Sequence, residues 1–210
     1  MVTKDLREAS EWWTRICIRL SLVLVNPLKK RWLRARLLES GDLPDTVWIP
    51  YQEFALRPSI LRKAFPRSGI KSKQGSVMVL RTFLDGPRRC CLVLQLTPFA
   101  SAADANEYVP RASKLGLSNS GSQMARSLGV SFKDPKEYVV EDHEVKGLPN
   151  ARLLEIRYGG NVTSQDRTVI GSISETLLIV KVLSADESLP WDEVIAITER
   201  QIDKLNRRVT

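Results

Sequence analysis

The side chains that could do chemistry are few, because the 210 residues include one histidine and three cysteines. His143 lies in the acidic run Glu141-Asp142-His143-Glu144, and any Ser-His-Asp, Cys-His or histidine-ligated metal site would have to use it. The run has neither the spacing nor the glycine of an EF-hand loop. We interpret it as a solvated strand edge and expect no catalytic or metal-binding residue; an enzyme that uses this acidic patch is the weaker alternative.

The cysteines suit neither a disulfide framework nor a zinc site. Cys17 is distant in sequence, and the adjacent Cys90 and Cys91 would point to opposite faces of a strand. We interpret all three as small apolar core residues in a reducing compartment. Gly159 and Gly160 precede more strand rather than a helix, so they predict a turn and not a phosphate-binding loop. We expect no cofactor.

Positive charge is concentrated in the first part of the chain. Residues 1–90 carry 18 Lys and Arg against 8 Asp and Glu, and the net charge of the whole chain is +8. All of the excess therefore precedes residue 91. Such a field attracts anionic lipid, nucleic acid or an acidic protein, and charge alone does not choose among them.

Tryptophan and cationic residues flank an apolar stretch in the first forty residues, as in a helix that lies at a membrane interface. The candidate residues for binding a membrane or a protein partner are Trp12, Trp13, Lys29, Lys30, Arg31, Trp32, Arg34 and Arg36. Two alternatives stay open: the apolar stripe docks on the chain's own sheet, or it is buried in an oligomer as part of a structural subunit. Nucleic acid is disfavoured because the aromatic residues accompany the aliphatic stripe instead of forming a stacking surface on a strand.

The apolar stretch is too short to span a bilayer. Residues 16–25 form a run of ten that Arg19 interrupts, whereas a spanning helix needs about 20 apolar residues. Asp5, Glu8 and Glu11 precede the run, which is a poor fit to a secretory signal. We expect a cytoplasmic or peripheral membrane protein, and secretion stays open if the start codon lies further upstream.

The elements that must position these side chains follow an α+β pattern. We predict an amphipathic helical segment over residues 1–40, an irregular Pro- and Arg-rich connection over residues 41–73 and an α+β core domain over residues 74–210. Strands are predicted at 76–84, 88–99, 138–145, 151–158, 168–174 and 176–183, and helices at 102–115 and 189–207. Short turns favour an antiparallel sheet of five to six strands with helices packed on one face.

Three short motifs resemble a known family. Residues 37–44, LLESGDLP, resemble the LL…DLP opening of actinobacterial sensor domains, the extracellular ligand-sensing module of some mycobacterial serine/threonine kinases and related lipoproteins. Residues 99–105, FASAADA, resemble the strand-to-helix junction of that group, and residues 201–205 resemble its final helix. The resemblance implies an antiparallel sheet with helices that enclose a cleft. It also implies a sensor-like domain that binds a small ligand or a protein partner without catalysis.

Overall fold

The computed structural model describes residues 27–44, 48–56, 77–118, 133–140, 143–159, 165–184 and 189–207. The helices are α1 (Pro27–Arg36), α2 (Ala102–Ser118) and α3 (Trp191–Asn206), with a short 3-10 helix at Ser40–Asp42. The strands are β1 (Ile49–Leu56), β2 (Met78–Asp85), β3 (Cys90–Pro98), β4 (Lys133–Val140), β5 (Arg152–Gly159), β6 (Gln165–Ile173) and β7 (Thr176–Ser184). The predicted α+β class is confirmed.

The described strands form one antiparallel sheet in the order β1-β2-β3-β7-β6-β5-β4. Six of the seven correspond to the strands that the sequence predicts. The additional strand, β1, lies in the range assigned to an irregular connection. Its pairing with β2 shifts register between Pro50 and Gln52, which hides the alternation of a regular strand. Proline is tolerated there because β1 is an edge strand.

Helices cover both faces of the sheet, whereas the sequence analysis predicted helices on one face. On one face, Val194 and Ile197 of α3 and Leu33 of α1 join a core with alternate residues of the central strands. On the other face, Ala105 and Val109 of α2 pack against the intervening strand residues. The sheet residues of these two cores include Leu94, Val169, Leu178 and Val180 on the first face and Leu154, Ile170 and Leu177 on the second.

The helix boundaries follow from local sequence signals. The amide of Asp104 donates to Ser101 Oγ at 3.1 Å, so Ser101 caps the start of α2. Asp192 and Glu193 lie in the first turn of α3, as the helix dipole favours. β4 ends at Val140, before the predicted end at residue 145, because the chain turns between residues 143 and 151.

Candidate functional site

A cleft opens at one end of the sheet, where α2, the β4–β5 connection and the β6–β7 turn meet. Its volume is about 1070 Å³, which is large enough for a small molecule. All three elements contribute polar side chains to its wall, and aliphatic residues lie between them. Lining residues include Asn106 and Val109 of α2, His143 and Asn150 of the connection, and Ser172 and Ser174 at the turn.

The β4–β5 connection, residues 141–151, is held on the core by Leu148. This side chain packs directly on Gly171 of β6, where an added Cβ would lie 2.5 Å from Leu148 Cγ. Gly147 has a φ of 80°, a left-handed conformation in which glycine is not strained. The amide of Lys146 donates to Glu199 Oε1 of α3 at 3.1 Å. Contacts with β6 and α3 therefore position this wall of the cleft.

Three polar side chains from separate elements meet on the cleft wall. Asn150 Nδ2 donates to Ser172 Oγ at 2.8 Å and also to Asn106 Oδ1. Ser172 Oγ in turn donates to Asn106 Oδ1 at 2.6 Å, and the amide of Ser172 donates to Asn150 Oδ1 at 3.1 Å. Because Asn106 is exposed on α2, its side chain can exchange these contacts for contacts with a ligand.

The charge of the cleft is one-sided. Its described lining contains no aspartate or glutamate, whereas Arg152 and His143 are both present. Arg152 is exposed, and the half-buried His143 ring lies with its centroid 6.0 Å from that of the Trp191 ring.

The β6–β7 turn at the rim holds a strained backbone. Ser174 has a φ of 49°, a left-handed conformation that costs a non-glycine residue roughly 1–2 kcal/mol. The turn is held in place by a hydrogen bond of 2.7 Å from the amide of Phe99 to the carbonyl of Glu175. Strain that the surrounding structure maintains is a feature of many binding sites.

The family resemblance implies a cleft, but the sequence does not identify the residues that line it. Asn106, Asn150 and Ser172 are separated by 44 and 22 positions in the chain, and only the fold of the β4–β5 connection brings them together. Each of them alone is typical of an exposed helix, a turn or a strand end. Gly147 and Pro149 are typical of a turn, but a turn signal does not indicate which residues of the fold the turn contacts.

The eight residues predicted to bind a membrane or a protein partner differ in their surroundings. Trp12 and Trp13 lie outside the described residues, and Lys29 and Lys30 belong to the first turn of α1. Of the remaining four, Arg31 and Trp32 are exposed while Arg34 and Arg36 are half-buried. The guanidinium of Arg36 lies 3.8 Å from the centre of the Trp32 ring, and that of Arg34 forms an ion pair with Glu53.

The C-terminal end of α1 is fixed on the core by side chains from β2 and α3. Arg81 Nη1 donates to the carbonyls of Leu37 and Leu38, at 3.3 and 2.8 Å, and Arg81 Nε donates to Glu53 at 2.8 Å. Gln201 receives a hydrogen bond of 3.0 Å from the amide of Leu38 and donates one to the carbonyl at residue 36. In the described part of the predicted helical segment, the apolar side therefore docks on the chain's own core.

Cys17 lies outside the described residues, and the environment of the other two cysteines disfavours their thiolate forms. Burial raises the pKa of Cys91 to about 12 and also raises the pKa of Cys90, so both thiols stay protonated. In the described ranges, no group of three or more His, Cys, Asp or Glu side chains is placed to hold a metal ion. Glu141 and Asp142, which belong to the acidic run around His143, lie outside those ranges.

The described helices include none that is long and apolar enough to cross a membrane.

The fold and cleft define an antiparallel α+β domain with an open site at one end of its sheet. A similar solved structure is the extracellular domain of PknH from Mycobacterium tuberculosis, with a TM-score of 0.52 and 10% sequence identity; the match covers 82% of this chain and 94% of that chain. No family model matches the sequence, and no curated protein matches it significantly. The likeness is one of fold, and it agrees with the fold that the resemblance of residues 37–44 and 99–105 implies.

Proposed function

We propose that this chain is a non-enzymatic, sensor-like binding domain that holds a small polar ligand in the cleft. The observation that carries the proposal is the meeting of Asn106, Asn150 and Ser172 on the cleft wall, each from a different element. Small-molecule sites combine apolar walls with a few polar groups in fixed positions, and this cleft has both. The likeness of fold to an extracellular domain supports a binding role.

The lining also limits the chemistry of the ligand. Asparagine and serine offer both donors and acceptors, which suits hydroxyl, amide and carboxylate groups. The lack of carboxylates among the described lining residues, together with the exposed Arg152, favours neutral or anionic compounds. The half-buried Ala151 and Ile173 add apolar surface for the carbon skeleton.

Nuclear magnetic resonance can test this proposal with a fragment library of neutral and anionic polar compounds. Binding in the cleft would shift the side-chain NH₂ signals of Asn106 and Asn150 and the backbone amide of Ser172 in a saturable manner. A library whose hits shift signals elsewhere, or which gives no hits, would contradict the proposed site.

A pair of neighbouring variants on α2 provides the control. Asn106→Ala removes a polar group of the cleft from an exposed position, so the fold should be retained and the cleft shifts lost. Glu107→Ala changes the adjacent exposed residue, whose carboxylate pairs with Arg111 outside the cleft. Equal effects of the two substitutions would show that the polar cluster is not the binding determinant.

A further inference from the structure

We propose that a second surface, the outer face of α1, docks on an anionic lipid membrane. The exposed side chains of this face belong to Arg31, Trp32 and Ala35, and the half-buried Arg36 lies at its edge. The face is distinct from the cleft, because α1 packs on one side of the sheet and α2, which forms a cleft wall, packs on the other. The proposal therefore does not depend on the cleft binding a ligand.

The core fixes which way this face points. Leu33 and Leu37 are both 0% exposed, and both belong to the core that α1 shares with α3 and the sheet. At 100° per residue, the helix places residues 31, 32 and 35 away from that stripe, with residue 36 at its edge. Arg81 and Gln201 hold the C-terminal end of α1 in the same orientation. The outer face of α1 is thus directed away from the core.

The charge of α1 is complementary to an anionic surface. Its ten residues include five cations and no acidic residue. Arg34 shares the carboxylate of Glu53 with Arg81, so this cation belongs to the internal docking of the helix. Arg31 and Arg36, with Lys29 and Lys30 in the first turn, are the other basic residues of α1.

One of the two acidic groups nearest in sequence is already paired with a cation outside α1. Glu39 and Asp42 follow the end of α1, and the carboxylate of Asp42 pairs with Lys204.

Trp32 gives the face an apolar component that suits lipid head groups. Its side chain is 41% exposed although it is large and hydrophobic, and the guanidinium of Arg36 stacks on its ring. An indole with an adjacent guanidinium can lie at the head-group level while the cation meets a phosphate. A peptide ligand would need a groove or an unpaired strand, and the outer side of a helix is convex. A stacking platform for single-stranded nucleic acid uses free aromatic faces, whereas Arg36 occupies one face of Trp32.

Co-sedimentation of the full chain with vesicles tests the proposal. We expect binding to phosphatidylcholine vesicles that contain phosphatidylglycerol, little binding to phosphatidylcholine alone, and a loss of binding at high salt. Arg31→Gln should weaken binding to the anionic vesicles about fivefold, the effect of one cation near a charged surface. Trp32→Ala should weaken it at high salt as well as at low salt, because its contribution is apolar.

Two matched substitutions separate a specific face from general charge. Arg111→Gln removes the same charge from an exposed position on α2, and Tyr51→Ala removes an exposed aromatic ring from β1. Neither should change vesicle binding by more than about twofold. Circular dichroism would verify that all four variants are folded.

Three results would overturn the proposal. One is the absence of binding to anionic vesicles at low salt. Another is an equal loss with Arg31→Gln and Arg111→Gln, which would make the attraction a property of net charge. The third is binding to a soluble polyanion such as heparin, dependent on Trp32, without binding to vesicles.

Discussion

At the scale of single residues, Arg81 has a role that its sequence context hides. Val77, Val79 and Phe83 alternate along the chain and are buried, and Arg81 occupies the corresponding position of the same strand face. Its guanidinium donates hydrogen bonds to the carbonyl oxygens of Leu37 and Leu38 at the end of α1, where a cation is stabilised by the helix dipole.

Replacing Arg81 by Met should therefore lower the free energy of unfolding by about 2–4 kcal/mol, because buried carbonyls and Glu53 lose a charged donor. Urea denaturation followed by circular dichroism would measure the change. The matched substitution Arg111→Met, in an exposed i,i+4 pair, should cost no more than about 0.5 kcal/mol. Equal costs would show that Arg81 does not hold α1 in place.

Gly171 is a second residue whose identity the packing demands. An alanine methyl group there would lie 2.5 Å from Leu148, so Gly171→Ala should cost about 1–3 kcal/mol. Gly41→Ala is the control, since a Cβ at residue 41 would meet nothing within 4 Å. A double-mutant cycle with Leu148→Ala checks the cause: the cost of the methyl group should fall when the leucine is absent. An unchanged cost would place the conflict elsewhere.

At the scale of elements, α1 and α3 are joined through the turn that follows α1. Lys204 pairs with the carboxylate of Asp42, and Arg200 donates to the Asp42 carbonyl at 3.0 Å. Burial acts to raise the pKa of Asp42, but hydrogen bonds from Lys204 and from the Glu39 amide outweigh it and hold the pKa below 3.8. The ionised form is therefore the one that stabilises this junction.

The stability that the Asp42 carboxylate contributes depends on pH. A carboxyl group whose pKa is lowered by folding contributes stability above its unfolded pKa of about 4 and loses it as the pH falls through the folded pKa. Asp42→Asn should lower stability at pH 7 by up to about 1 kcal/mol, a value limited by solvent screening. The difference from the unmodified chain should shrink below about pH 4, as measured by urea unfolding across pH. A difference that grows on acidification would contradict this assignment.

The elements that could be predicted from the sequence are those whose signals are local. The cap at Ser101 and the stripe of Val194, Ile197 and Ile202 fixed α2 and α3, since each depends on neighbours within a few turns. β1 was not predicted, because Pro50 and the bulge interrupt its alternation and only pairing with β2 forms the strand. The polar residues that line the cleft were not predicted for the same reason: they become neighbours only through long-range packing.

At the scale of the whole molecule, a single sheet separates two cores. The central strands β3, β7 and β6 each pair with a strand on both sides. In β7, the successive residues Leu177 and Leu178 point into opposite cores. β1, by contrast, is an edge strand that begins with the exposed residues Ile49, Pro50 and Tyr51. Opening the centre of the sheet would disrupt both cores, while opening β1 disturbs one edge.

We therefore expect amide hydrogen exchange to be slowest in β3, β6 and β7, with protection that approaches the free energy of global unfolding. The amides of β1 should exchange faster, because its edge can separate from β2 without exposing the α2 core. Exchange measured by mass spectrometry on peptides from each strand would test this order. Leu178→Ala, which removes a fully buried side chain, should reduce protection in all three central strands together. A loss confined to β7 would mean that the two cores unfold independently and that the sheet does not couple them.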